Sequence, residues 1–312
     1  MSKNSVDKYK HYFLFSSLQD KYMYATLFGM SRYTFKDFKA EYPDDDACLE
    51  AVFQNRYGEL KFCPHCAAET KFYRVKKRQC YACMHCGHQL HPLSNTIFRK
   101  THVSLWYWFY SIYEMSSSKN GISALELQRK TGLAYRTAWR MQKQIRELMK
   151  QDSEKFMGVV EADETYIGGR QTYKQSYRYD NKTPVIAIVE KRGKLKAKTV
   201  ERANKDTVLP FLDESVERLS VVHTDQSTIY KLAHVNYQHR TVDHGVNTYV
   251  KNGVHTNTLE GWFSQLKRSI NGTYHSVSRD HLPMYIDEFV FRYNNRYEPI
   301  CPVLLAKVAK LS

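Results

Sequence analysis

The chain has 312 residues and a formal net charge of +15 at pH 7, from 47 Lys and Arg residues against 32 Asp and Glu residues. This length exceeds one typical domain and can bury at least one good core. The charge favours a polyanionic partner, first of all nucleic acid, although a basic soluble protein without one would carry the same charge. No apolar run reaches the roughly 18 residues of a membrane span. The first ten residues also lack a signal-peptide pattern, so we expect a reducing, cytoplasmic compartment and no membrane partner.

Residues 1–57 are rich in aromatic residues and Lys. We interpret them as a helical N-terminal segment, called the lead-in below, which ends in a helix over 51–56. The sequence indicates no function for this region.

Five of the seven cysteines fall between positions 63 and 86. Two C-x2-C pairs separated by sixteen residues fit the spacing of a structural Zn²⁺ site: Cys63, Cys66, Cys83 and Cys86. Cys80 forms a competing C-x2-C pair with Cys83, which leaves the second pair of ligands open. We favour Cys86, because Gly87 follows it and can open the turn of the knuckle. The metal would supply folding energy to a small ribbon that cannot bury enough surface alone.

The next region reads as helices. An aromatic helix is predicted over 104–116, and a second helix begins at the capping box Ser123–Glu126 and ends at Gly132. A third helix follows over 134–149, with three basic residues on one face: Arg136, Arg140 and Lys143. A helix, a glycine-containing turn and a basic helix form the helix-turn-helix arrangement, in which the second helix suits the DNA major groove. Two such helices alone usually form an ordinary helical hairpin. Because this pair follows a zinc ribbon in a chain of this charge, DNA binding is the better interpretation.

Three acidic residues indicate chemistry in the second half of the chain. Asp163 closes the strand predicted over 156–163, and Asp225 closes the strand predicted over 219–225. Glu260 lies on a helix whose apolar stripe faces a core. Two strand-end aspartates and a helical glutamate are the parts of a two-metal phosphoryl-transfer site.

Neighbouring charged residues leave alternatives open. Under strand alternation Glu161 shares the face of Asp163 and is its main rival as a metal ligand, whereas Glu164 should point away. Lys267 lies two helical turns after Glu260 on the same face. The two would ordinarily be a surface pair, and a phosphate contact is an equally good interpretation of Lys267.

The remaining elements of this region are a hairpin over 185–201, a helix over 206–216, a strand over 237–243 and a final helix over 281–292. In this region the strands come first, and the acidic residues lie at strand ends and on a late helix. This order predicts an α/β domain of ribonuclease-H-like type. The chain is thus predicted to be multi-domain. Its predicted parts are the lead-in at 1–57, a zinc ribbon at 58–100, a helix-turn-helix region at 101–152, the ribonuclease-H-like domain at 153–298 and a C-terminal tail at 299–312.

Several longer motifs resemble one family. They are Cys63-Pro-His-Cys66 with Cys83–Cys86, Gly121-Ile-Ser-Ala-Leu-Glu-Leu, Tyr135-Arg-Thr-Ala-Trp-Arg-Met141, Asp163-Glu-Thr-Tyr-Ile-Gly-Gly169, His255-Thr-Asn-Thr-Leu-Glu260, Leu266-Lys-Arg268, Gly272-Thr-Tyr-His275 and Glu288-Phe-Val-Phe-Arg-Tyr-Asn-Asn-Arg296. Over residues 45–297 the chain resembles the ISXO-like, Merlin-related zinc-ribbon DDE transposases of bacterial insertion sequences. Two positions depart from the family pattern: Asn95 replaces a frequent Gly, and Gln226 replaces the Gly that usually follows the second Asp.

The resemblance implies a ribonuclease-H-like fold and cleavage and strand transfer of DNA that depend on Mg²⁺ or Mn²⁺. It implies a catalytic set of Asp163, Asp225, Glu260 and Lys267, of which the three acids hold the metal. The implied partners are double-stranded DNA, both the terminal inverted repeats and the target, and a second copy of the chain, because two ends must be joined. Arg268 joins the basic helix residues as an expected DNA contact. The implied location is the nucleoid of a prokaryotic cell.

Two other classes of protein remain as alternatives. A zinc-ribbon and helix-turn-helix regulator with a catalytically inactive transposase-derived domain accounts for the charge and for residues 58–150. It does not account for three acids beside Lys267. A ribonuclease H or resolvase-type nuclease accounts for the acids but leaves two DNA-binding modules without a purpose. The sequence therefore favours the transposase.

Overall fold

The computed structural model describes residues 33–168, 182–241 and 257–308. Predictions for most of the lead-in, for the loop after Gly168, for Asp243 and for His255 lie outside the described residues. Among the helices that are described, none has the length and apolar character needed to cross a membrane.

The N-terminal part begins with two helices, α1 (Phe35–Glu41) and α2 (Asp45–Tyr57). Each is capped by a side-chain oxygen that accepts a backbone N–H, from Thr34 in α1 and from Asp44 in α2. These caps satisfy donors that a helix N-terminus leaves without an intrahelical partner. Three short antiparallel strands follow in the order β1-β2-β3: β1 (Phe72–Arg74), β2 (Tyr81–Cys83) and β3 (Gln89–Leu90).

The predicted helical region contains α3 (Leu105–Ser117), α4 (Ala124–Thr131) and α5 (Tyr135–Glu147). The aromatic helix α3 packs into the core, where Trp108 is fully buried. Ser123 caps α4 by accepting the N–H of Glu126 at 3.1 Å. The Glu126 carboxylate pairs with Lys130 at 3.4 Å, so the second bond of the predicted capping box is replaced by an ion pair. Gly132 ends α4 with a φ of 73°, which favours glycine.

The second half of the chain forms a mixed five-stranded sheet in the order β6-β5-β4-β7-β8. Its strands are β4 (Val159–Gly168), β5 (Lys182–Glu190), β6 (Leu195–Thr199), β7 (Val221–Thr224) and β8 (Gln238–Thr241). The first three form an antiparallel meander. β7 runs parallel to β4, and β8 runs parallel to β7. The parallel pairing of β4 and β7 brings the two predicted aspartates to neighbouring strands.

One strand differs from the prediction. β4 continues to Gly168, so Asp163 lies inside the strand and not at its end. The reason is the hairpin partner β5, which pairs with β4 from Val160 through Gly168 and keeps the backbone extended. The neighbouring β7 does end at Thr224, and Asp225 follows it directly, as predicted.

Helices cover both faces of the sheet. They are α6 (Lys205–Ser215) on one face, and α7 (Asn257–Ser269) with α8 (Leu282–Asn294) on the other. Val160 and Ala162 of β4 pack with α6, whereas Ile167 packs with α7 and α8. Because side chains alternate along a strand, Glu161 and Asp163 face α7.

The last described helix, α9 (Ile300–Val308), lies in the region predicted as a tail. Cys301 and Leu304 are buried in the same core as α2, α3 and α5. This part of the predicted tail is therefore integral to the N-terminal core, because its apolar face covers α3.

A buried ion-pair cluster joins α5 to the sheet domain. Arg146 of α5 lies 2.7 Å from Glu288 of α8, and both side chains are fully buried. Arg292 also contacts Glu288 at 2.7 Å, and the Tyr274 hydroxyl donates to the same carboxylate at 3.3 Å. We refer to these four residues as the Arg146–Glu288 cluster. It fixes the basic helix α5 against the domain that carries the acids.

Candidate catalytic site and zinc centre

The four cysteines chosen from the sequence come together. Their sulfur atoms all lie within 4.8 Å of one another, the only such group of His, Cys, Asp or Glu ligand atoms within the described ranges: Cys63, Cys66, Cys83 and Cys86. The competing Cys80 is buried elsewhere, with its Sγ 3.6 Å from Gln89 Oε1. The geometry thus selects Cys86 over Cys80.

Two matching knuckles present these thiols. The Ala67 N–H donates to Cys63 O at 2.9 Å, and the Gly87 N–H donates to Cys83 O at 3.0 Å. Both turn residues have positive φ, 53° at Ala67 and 71° at Gly87. Glycine adopts this conformation without penalty, whereas Ala67 carries a Cβ into it at a cost of about 1 kcal/mol.

The spacing of the sulfur atoms fits Zn²⁺. Two sulfur–sulfur distances are 3.7 Å, from Cys63 to Cys86, and 3.9 Å, from Cys66 to Cys83. A tetrahedron with Zn–S bonds of about 2.3 Å has edges of about 3.8 Å. A disulfide would need about 2.05 Å. The cluster therefore supports a structural zinc ion.

The two aspartates lie close enough for the charge of Asp225 to raise the pKa of Asp163. β4 and β7 pair in register at Val159 with Val221 and at Glu161 with His223. Asp163 follows the side-chain direction of Glu161 and faces α7. Asp225 comes directly after β7, where its carboxylate accepts the Ser227 N–H at 3.0 Å.

Glu260 enters this site from the first turn of α7. The beginning of α7 is anchored to β4 by Glu161, whose carboxylate accepts the backbone N–H of Thr258 at 3.1 Å and its hydroxyl at 2.8 Å. A carboxylate at a helix N-terminus also interacts favourably with the helix dipole. Glu161 is only 2% exposed. Glu161, which the sequence predicts as the alternative metal ligand, therefore already holds the helix that carries Glu260.

The site concentrates negative charge. Burial raises the pKa of Asp163, and although the Glu164 N–H lowers it, the carboxylates of Glu164, Asp225 and Glu260 raise it further, to about 7. Like charges that destabilise one another in this way are stabilised by a cation. Glu164 points to the other face, as predicted, where it accepts the Tyr230 hydroxyl at 2.8 Å.

Carboxylate oxygens at this site fit divalent ions. Mg²⁺ takes a few carboxylates and completes its shell with water and substrate oxygens. The three acids do not form a group within 4.8 Å, unlike the cysteines among the described residues. Asp163, Asp225 and Glu260 are the residues that would hold such divalent ions.

The predicted basic residues lie on two exposed helix faces. Lys267 and Arg268 are exposed at the end of α7. On α5, Arg136 and Arg140 are exposed, and Lys143 Nζ lies 5.6 Å from the ring centroid of Trp139. Four of these residues are exposed, and Lys143 is half-buried.

The sequence missed several residues that shape the site. The sequence predicts Glu161 as a possible metal ligand and not as the anchor of α7, because its partner Thr258 is almost a hundred positions away. The sequence did not indicate Arg146, since an arginine on an amphipathic helix is usually solvent-exposed. Its burial depends on Glu288, which is 142 positions away.

Known proteins share these two regions of the chain. Residues 155–294 match the ISXO2-like transposase domain, and residues 43–89 match the transposase zinc-ribbon domain. An uncharacterized protein in transposable element ISH50 of Halobacterium salinarum is 24% identical over 261 residues, which cover 77% of this chain and 87% of that protein. An uncharacterized transposase-like protein of Haemophilus influenzae is 25% identical over 97 residues, 31% of this chain and 77% of that protein.

A solved structure overlaps more loosely. It is the cryo-EM structure of a simian T-cell lymphotropic virus intasome in complex with PP2A regulatory subunit B56 gamma, with 12% identity over 59% of this chain and 66% of that one and a TM-score of 0.29. The matches in sequence cover both the ribbon and the acid-bearing domain, and they confirm the predicted resemblance. The chain thus contains a region that matches the ISXO2-like transposase domain, preceded by a region that matches the transposase zinc-ribbon domain.

Proposed function

We propose that the chain is an active DDE transposase whose ribonuclease-H-like domain cuts and joins DNA with Mg²⁺ or Mn²⁺. The observation that carries the proposal is the convergence of Asp163, Asp225 and Glu260. Asp163 lies on β4, Asp225 directly follows the parallel strand β7, and Glu260 lies on the helix α7. Burial and, after it, the charges of Glu164, Asp225 and Glu260 raise the pKa of Asp163, and a bound cation would favour the ionised form of these acids.

The acids and Lys267 have distinct roles in this proposal. Asp163, Asp225 and Glu260 would together hold the divalent ions. When bound, such ions activate water and stabilise the charge on the leaving oxygen. Lys267 would bind a phosphate near the scissile bond as a point charge.

The reaction has two steps. In the first, a water oxygen bonds to the phosphorus at the element's end while the phosphorus–O3′ bond breaks, and the departing O3′ takes a proton. In the second, this 3′-hydroxyl attacks a phosphodiester of the target DNA and loses its proton, and a target 3′-hydroxyl leaves. Both are in-line displacements that the same acids can serve, since only the attacking hydroxyl differs.

DNA binding would be shared between the two basic faces. We assign α4 and α5 as a helix-turn-helix in which Arg136, Arg140 and Lys143 contact the terminal repeat. Arg268 lies beyond Lys267 on the exposed face of α7 and would contact the backbone. The net charge of +15 supports such a partner. Joining two ends in one reaction calls for at least a dimer on DNA.

The test is cleavage of end DNA in Mg²⁺ by the zinc-loaded chain. We expect Asp163→Asn, Asp225→Asn and Glu260→Gln to bind the DNA and to lose cleavage by at least a thousandfold. Glu164→Gln is the matched control, because this acid adjoins Asp163 but faces the other side of the sheet. We expect it to retain at least a tenth of wild-type cleavage.

Two outcomes would overturn the proposal. If wild type binds the end DNA and never cuts it, the chain is the zinc-ribbon regulator with an inactive domain. If Glu164→Gln and Asp163→Asn lose cleavage equally, the acids act through general electrostatics and not as a metal site.

A further inference from the structure

A cleft of about 460 Å³ lies between the helix pair α4–α5 and the segment that follows α7. One wall is α5, with Tyr135 and Trp139, and the facing side is the segment from Thr273 to Tyr285. The floor is rigid, because the Tyr274 hydroxyl lies 3.3 Å from the Glu288 carboxylate in the Arg146–Glu288 cluster. The cleft is thus a preformed feature with a fixed floor.

The surfaces of this cleft are aromatic and basic. The Trp139 and His281 rings lie 5.2 Å apart between centroids, and Tyr135 is 50% exposed at the edge. Arg129 also lines the cleft, and no Asp or Glu does. Flat aromatic surfaces next to positive charge are the features that bind a nucleobase and its phosphate.

The rim contains a strained turn. His275 has φ 60° and ψ −49°, and the Ser276 N–H donates to Tyr274 O at 2.7 Å. This is a γ-turn, a conformation rare for a residue other than glycine. Backbone strain of this kind concentrates at ligand sites. The turn puts the exposed His275 side chain at the mouth of the cleft.

The cleft opens on the proposed DNA face. Trp139 lies three residues after Arg136 and four before Lys143, so its ring is on the same side of α5 as these basic residues. A paired base is stacked and presents only its edge to a protein. Only a base turned out of the duplex could place its face on Trp139 and enter the cleft.

The structure also sets a distance between the cleft and the acids. Thr273 follows Glu260 by thirteen residues along α7 and its π-helical extension (Ile270–Tyr274). At about 1.5 Å per residue this is about 20 Å. One strand of B-form DNA advances about 3.4 Å per nucleotide, so the separation corresponds to about six nucleotides.

We propose that this cleft binds one unpaired nucleotide of the transposon end, about six positions from the scissile phosphate. The proposal rests on the proposed function, because it takes the end DNA as the ligand. The base lies against Trp139 and Tyr135, and its phosphate is near Arg129 and His275. Extrusion of this base would fix the register of the end relative to the acids.

The test uses a series of end DNAs that each carry one mismatch, at positions 3–9 from the cleavage site. The affinity of the chain for each DNA is measured in Ca²⁺. A mismatch removes the cost of unpairing the base. The chain should therefore bind the DNA with a mismatch near position six at least tenfold more tightly than the fully paired end. An abasic site there should lose that gain, since no base remains to stack. Trp139→Ala should abolish the gain, and Trp139→Phe, which keeps an aromatic face, should restore most of it. Arg140→Ala is the control, expected to weaken all the DNAs alike.

The outcomes separate this proposal from the proposed function. Cleavage of the paired end by wild type in Mg²⁺ is measured in parallel and tests the function alone. If wild type cuts and no position shows the gain, or if all positions gain alike, the cleft does not take an unpaired base. The same conclusion follows if Trp139→Ala retains the full gain at the responsive position.

Discussion

Replacement of Glu161 separates an anchoring role from metal binding. Glu161 lies two residues from Asp163 on the same face of β4, so its carboxylate is the natural competitor for an ion. Its two hydrogen bonds to Thr258, at 3.1 Å and 2.8 Å, instead make it the anchor of α7. The two bonds end on different oxygens of Glu161. In Glu161→Gln the amide oxygen can accept the Thr258 N–H, and the amide NH2 can donate to the Thr258 hydroxyl in place of the second bond. We therefore expect this variant to cleave DNA within about tenfold of wild type, since only the charge at the helix terminus is lost.

The expected magnitudes differ between two substitutions. Hydrogen bonds to a charged group contribute about 1.5–3 kcal/mol each. Because both bonds share one carboxylate, their losses are not additive, and we expect Glu161→Ala to lower the free energy of unfolding by about 3 kcal/mol. Glu161→Gln loses the interaction with the helix dipole and should cost about 1 kcal/mol. Asp163→Asn should abolish cleavage without such a loss of stability.

The assay pairs urea unfolding with DNA cleavage on the same zinc-loaded preparations. Equal m-values among variants establish that the change is one of stability. The reasoning would be refuted if Glu161→Gln unfolded like wild type yet lost cleavage as completely as Asp163→Asn. Glu161 would then be a metal ligand, and its bonds to Thr258 would be incidental.

Three further predictions concern the zinc ribbon and the acids. Chelation of zinc, or Cys66→Ser, should unfold β1–β3 and lower the melting temperature measured by circular dichroism; an unchanged melting curve would mean that the thiols hold no metal. Ala67→Gly should raise the free energy of unfolding by about 0.5–1 kcal/mol, because positive φ suits glycine; the same change at Ala82 in β2 should be destabilising. Because burial raises the pKa of Asp163 to about 7, above the ordinary value of about 3.9, the folded state without Mg²⁺ retains a proton that the unfolded state loses. Stability should fall as pH rises from about 4 to about 7, and Asp163→Asn should stabilise the chain by about 2–3 kcal/mol more at pH 8 than at pH 5; an equal effect at both values would contradict the shift.

Local patterns predicted much of this molecule. The C-x2-C spacing identified the four sulfur atoms that meet, and Gly87 correctly favoured Cys86 over Cys80. The apolar period placed α3 within one residue at each end, because an amphipathic helix repeats its burial every turn. These features depend on residues close together in sequence.

The errors came from partners distant in sequence. Asp163 was expected at a strand end, but pairing with β5 extends β4 to Gly168. Residues 300–308 read as part of a tail, yet α9 is buried because α3 lies against it. A local sequence pattern does not include the distant residues that form the other half of such a contact.

The same limit applied within the candidate site. Strand alternation correctly put Glu161 and Asp163 on one face and Glu164 on the other. It could not distinguish which acid was free to bind metal, because that depends on Thr258. The Arg146–Glu288 cluster was equally inaccessible, since its charges are 142 positions apart.

The most direct test of the account is strand transfer in Mg²⁺, with precleaved end DNA and a plasmid target. A precleaved end isolates the joining step, which a simple nuclease cannot perform. We predict that wild type joins the end to the plasmid, and that Asp163→Asn binds the same DNA and yields no joined product. Joining by Asp163→Asn at the wild-type rate, or no joining by wild type bound to its ends, would contradict the account.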